Sequence, residues 1–141
     1  MGIQEVVVGV QRQGGNQVNL KSLKPFFIEN SRVPIWLSKI APINVWANSF
    51  AIWVWCRGEL SEKTKRHETI HFQQQLECLF LGHWILYSLS WIAGYIRYGN
   101  GKDAYYNCMF EREAYDNDQD ETYLENRPRF AWVKYIGRPV L

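Results

Sequence analysis

The chain has 141 residues, 47% of them hydrophobic and 16% aromatic, and a net charge of +2 from 16 basic and 14 acidic side chains. That length suits one domain, residues 1–141, burying roughly two-thirds of its unfolded surface, and the apolar content excludes a disordered tail. The balanced charge leaves no electrostatic footprint for nucleic acid, and Cys56, Cys78 and Cys108, three thiols without a C-x-x-C pair, exclude a disulfide framework and read as reduced.

Met1 to Gln11 lacks the basic start and apolar run of a signal peptide, so the expected location is the cytoplasm. Ile3 to Val10 carries a β-branched run and reads as a strand, with Gln11 to Gln17 a Gly-rich turn and Val18 to Leu20 a weak hairpin return. Pro25 and Pro34 argue against a long helix over Lys21 to Arg32 and beyond, and Val33 to Ala41 alternates loosely up to Pro42. Ala51 to Cys56 (AIWVWC) is the strongest strand signal, bounded by Asn48-Ser49 and by Arg57-Gly58.

Ser61 is a favourable N-cap and Glu62 places a carboxylate in the first turn, so a helix is predicted from about Glu62. Ile70, Phe72, Leu76, Leu79 and Phe80 largely keep helical spacing along it, Gln73 to Gln75 read as surface or site rim, and Gly82 ends or kinks it. Cys78 to Ile96 is free of Asp, Glu, Lys and Arg and is about as long as a bilayer span. The polar and small residues in it favour a buried helix packed against the preceding one; a helix in or on a membrane is the alternative. Gly99 reads as a helix stop, and Asp103 or Asn107 as the cap of the next helix, which carries Phe110 to Tyr115. Asn117 to Glu121 reads as a solvated acidic run, Arg127-Pro128 as a break, and Phe130 to Ile136 as a last helical turn or strand.

Within the helix that begins at Glu62 lies His67-Glu68-Thr69-Ile70-His71, an H-E-x-x-H stretch. Positions i and i+4 project from one helix face, so both imidazoles can reach one metal ion. Glu68 lies about 100° round from His67, where it can deprotonate a metal-bound water without being a ligand itself. Zinc suits such donors and lowers the pKa of its bound water to about 7. The bland reading is a solvated surface face.

Catalytic zinc takes three protein ligands and a water. Glu111 and Ala114 share a helix face, so a small residue lets two helices approach while the Glu111 carboxylate reaches the metal. Glu113 points about 200° away, so only one of the two can ligate, and Glu111 is preferred. An exposed Glu-Arg-Glu stripe is the competing interpretation. His83 in its apolar helix reads as a hydrogen-bonded core or rim residue, and Cys108 as a small buried hydrophobe before it reads as a thiolate ligand.

HETIHFQQQLE followed by FEREAY resembles the gluzincin group of zinc metallopeptidases, and in particular small bacterial proteins with an HExIHxxQQxE…FExEAY pattern. The resemblance spans about Ala51 to Tyr135 and rests on two short motifs. It implies a zincin-like α+β domain, mainly helical, with a small sheet on the H-E-x-x-H helix and a strand edge, such as that of Ala51 to Cys56, open to a peptide. It implies Zn2+ held by His67, His71 and Glu111, with Glu68 as general base. Such sites often carry Asp four residues past the third ligand, orienting a histidine; Tyr115 stands there, so that carboxylate is expected to be lost. Tyr95, Tyr105, Tyr106, Tyr123, Arg127 and His83 are the candidate oxyanion donors.

The function expected is therefore a zinc-dependent peptidase acting on a peptide or protein substrate. A catalytically idle metal-binding fold and a membrane-associated protein in contact through Cys78 to Ile96 are the alternatives, and the oligomeric state is left open.

Overall fold

The computed structural model describes residues 23–40 and 44–138. The strand expected over Ile3 to Val10, the turn and the hairpin return after it lie outside the described residues. What is described is an α+β fold, mainly helical, with one three-stranded sheet.

The sheet contains β1 (Phe26–Ile28), β2 (Ala47–Phe50) and β3 (Trp53–Cys56) in the order β1-β3-β2. The central β3 pairs in parallel with β1, Val54 against Phe27, and antiparallel with β2, Val54 against Ser49. The expected strand over Ala51 to Cys56 is thus shorter: Ala51 takes a left-handed φ of 54° and turns the hairpin. Asn48 and Ser49, read as a boundary, lie inside β2. Between β1 and β2 sits α1 (Val33–Leu37), with Pro34 in its first turn, where a missing N–H costs nothing.

Ser61 caps α2 (Glu62–Glu77) as expected, its side chain accepting from the Thr64 N–H at 3.1 Å. The helix ends before Gly82. Leu79 and Phe80, at φ of 54° and 55°, turn the chain left-handed, and the axis bends by 111° into α3 (Leu81–Tyr98). Gly82 lies within α3.

Expected as a buried helix, α3 buries only His83. Leu81, Ile85, Leu89, Ile92 and Ile96 are exposed, at 72%, 53%, 58%, 49% and 80%. The inner face is built for contact: a Cβ on Gly94 would lie 3.0 Å from the Ala104 Cα, so only glycine allows α4 (Gly101–Tyr106) so close. Gly99 closes α3 at φ 74°, the left-handed stop foreseen from sequence.

Neither Asp103 nor Asn107 caps a helix start. Asn100 caps α4 by accepting from the Asp103 N–H at 2.8 Å, and Asn107 ends it. Next come α5 (Met109–Asn117), α6 (Tyr123–Asn126) and a closing 3-10 helix, Ala131–Tyr135. The main apolar cluster joins Cys108, Met109 and Phe110 to Trp132 and Tyr135, so the chain's last described turn is pinned onto α5.

Candidate metal centre

On α2 the i, i+4 spacing puts both imidazoles against α5, whose first turn presents Glu111. All three side chains are buried and form the group that can hold a metal ion. The Nε2 atoms of His67 and His71 stand 3.2 Å apart, and Glu111 Oε2 lies 3.6 Å from the first and 3.5 Å from the second. A point about 2 Å from all three atoms exists inside that triangle, which matches zinc–nitrogen and zinc–oxygen bonds of about 2.0–2.2 Å. Glu111 Oε2 is fully buried and has no hydrogen-bond partner. A carboxylate oxygen left bare in the interior is costly, and a cation there would resolve it. The donor set fits a metal.

Charge tells the same story. Burial would raise the Glu111 carboxyl, but the two imidazoles hold it well below the ordinary range. Burial would likewise lower His67, yet the carboxylates of Asp118 and Glu111 outweigh it and push His67 up to about 10.

Each ligand is aimed by a second group. Gln74 Oε1 lies 2.8 Å from His71 Nδ1, leaving Nε2 for the centre. Gln74 in turn donates to Phe110 O and Glu113 Oε2, each at 3.1 Å. The Tyr87 hydroxyl donates to Glu111 Oε1 at 2.9 Å, which leaves Oε2 turned inward. Asp118 Oδ2 lies 3.3 Å from His67 Nδ1.

That last contact overturns two expectations. Asn117 to Glu121 is not wholly solvated, since Asp118 is only 2% exposed. The histidine-orienting carboxylate is also not lost: Asp118 supplies it, seven residues past Glu111 rather than four. Tyr115 lays its ring edgewise on His67, centroids 4.6 Å apart. In a helix, seven residues return to the same face as surely as four do.

Glu113, the rejected candidate, points away into an ion-paired knot. Arg127 donates to its Oε1 from Nε at 2.5 Å and to Glu77 Oε1 from Nη1 at 2.6 Å, while the Tyr123 hydroxyl donates to Glu113 at 3.0 Å. Tyr123 and Arg127 are thereby committed elsewhere, and Tyr95 lies on the outer part of α3 rather than among the cleft residues. His83, Tyr105 and Tyr106 do line the cleft that opens over the trio, a space of about 660 Å³. His83 is 2% exposed; burial, with His71 nearby, pushes it down to about 3, so the ring is neutral. Cys108 starts α5 as a buried thiol, pushed up to about 12 by burial and Glu111, and belongs to no metal-holding group.

Glu68 is buried beside the trio and also lines the cleft, and burial raises its carboxyl against the pull of His71 and His67. The cleft's other wall is β2, not the strand expected from sequence: β3 is central, and the edge strand β2 faces the site. Gln75 fixes that wall to α2, accepting from the Ala51 N–H at 2.7 Å and donating to Ser49 O at 3.1 Å. No protein-family model matches the chain, and no curated protein or solved structure matches it either.

Proposed function

We propose that the chain is a zinc-dependent, gluzincin-type hydrolase of peptide bonds, on a zincin-like domain. The observation that carries this reading is the buried trio of His67, His71 and Glu111, whose ligand atoms lie 3.2–3.6 Å apart around one point, with Glu111 Oε2 otherwise unpartnered. Zinc, when bound, supplies a Lewis acid that polarises a carbonyl and acidifies water to a pKa of about 7.

The chain's own residues do the rest. His67, His71 and Glu111 hold the ion, each turned to it by Asp118, Gln74 and Tyr87. Glu68, with its carboxyl raised by burial, takes the proton of the attacking water and returns it to the leaving amine. An extended peptide lies along the β2 edge, which brings its backbone past the trio.

The test is elemental analysis of purified wild type, His71→Ala and Glu111→Ala. About one zinc per chain in wild type and its loss in both variants supports the three-ligand centre. Glu68→Gln then retains zinc and loses cleavage of a fluorogenic peptide library. A wild type that takes up no metal when zinc is supplied ends the reading.

A further inference from the structure

The trio and its cleft leave unexplained an extended apolar surface among the described residues. On α3, Leu81, Ile85, Leu89, Ile92 and Ile96 fall within an arc of about 80° at 100° per residue, and all five are exposed. The surface continues onto the hairpin: Phe50 packs on Trp84 with centroids 5.7 Å apart, and Phe50 and Trp53 are 50% and 42% exposed. A contiguous apolar face of this kind marks an interaction site.

Charge decides what covers it. Residues 30–58 and 78–102 contain no Asp or Glu; their only charged side chains are Arg32, Lys39, Arg57, Arg97 and Lys102. The same two segments hold six of the seven tryptophans. A protein partner or a second copy would be met by a rim of mixed charge and matched polar groups. Tryptophan and aliphatic side chains with cations in excess, the exposed Asp103 beside Lys102 being an acid at the same end, are instead what an interface rich in anionic headgroups selects. Arg97 lies in the last turn of α3, and Lys102 follows just past Gly99, so both stand at one end of the apolar arc.

We propose that this face docks the protein onto the surface of an anionic lipid bilayer, with α3 lying in the interfacial layer. Spanning is a different matter: among the described residues no single helix is long and apolar enough to cross a membrane. Asn44 to Ser49, Trp84 and Lys102, which line the cleft, come from the two acid-free segments, so docking brings the cleft walls to the headgroup region.

The experiment is flotation of the full chain with vesicles of phosphatidylcholine, alone or mixed with phosphatidylglycerol, with and without zinc. Binding to the mixed vesicles, weakening as salt is raised, is expected with or without zinc, so a failed metal reading leaves this result standing. The double variant Ile85→Glu, Leu89→Glu alters exposed positions and should bind at least tenfold more weakly, since two buried aliphatic contacts are lost. Arg97→Glu, Lys102→Glu should cost about fivefold per charge on mixed vesicles only. Circular dichroism confirms that each variant is folded. Wild type that floats with neither vesicle, or that forms a dimer dissociated by the same Ile85→Glu, Leu89→Glu change while ignoring lipid, overturns the proposal.

Discussion

Helix α2 carries nine successive buried residues, His67 to Gln75, seven of them polar, whereas α3, free of charge until Arg97, buries His83 alone. The two helices are joined by three residues and bent by 111°, yet their relation between composition and burial is reversed. Three of the polar groups in α2 are tolerated inside because they meet partners from far along the chain: Gln75 meets β2, Gln74 meets α5, His67 meets Asp118. Burial without such partners would cost several kcal/mol per group. Apolar groups on α3 need no partner to be tolerated outside, only something to cover them. One helix is explained from within the molecule and the other from outside it.

Substitutions can break this contrast at either end. The largest effect is expected at Arg127, which is 3% exposed and pairs with both Glu77 and Glu113. Arg127→Met leaves the buried Glu113 and the half-buried Glu77 carboxylates uncompensated and should cost about 3–5 kcal/mol in denaturant unfolding. Next comes Ile70→Ala, a fully buried site on α2, at about 2–5 kcal/mol. The same change at Ile85 on α3, 53% exposed, should move stability by less than about 0.5 kcal/mol. Equal losses at the two isoleucines would erase the distinction between the helices.

Gln74→Leu removes the acceptor of His71 Nδ1 and should weaken zinc about 10–100-fold in a chelator competition, as should Asp118→Asn at His67. The smallest and most local test is pH. His83 is held down to about 3, so in the folded protein it stays neutral while the unfolded chain takes up a proton near its ordinary value of 6.5. Its contribution to stability is therefore complete above about pH 6.5 and is lost as pH falls toward about 3. His83→Phe should flatten that part of the acid limb, measured on metal-free protein so that loss of metal does not contribute.

Which parts were legible from sequence follows from how local their causes are. The start of α2 at Ser61, the stop at Gly99, and the choice of Glu111 over Glu113 depend on a few adjacent residues and on helical angles. The break at Leu79–Phe80 does not: two non-glycine residues adopt left-handed φ, and nothing in their type announces this. Short edge elements escaped for a similar reason. β1 and β2 are three and four residues long and exist through pairing with β3, which a linear pattern does not display. Asp118 looked solvated beside Asn117 and Asp120 because its partner is 51 positions earlier. The exposed face of α3 was read as interior because hydropathy states what a residue prefers, while the fold states what is available to satisfy it.

The bridge from Arg127 back to Glu77 spans 50 residues of chain. At a synthesis rate of about 5–20 residues per second, Glu77 is made roughly 3–10 s before its counter-charge. Through that interval Glu77 and, later, Glu113 have no guanidinium to close on, and Gln74 has Phe110 O but not a neutralised Glu113 to brace it against His71. The Glu113 end of the bracing around the trio is therefore complete only after Arg127 has been made. On the proposed metal reading, uptake of the ion is a late event in the birth of this protein, and a chain truncated before Arg127 should retain the ion less well.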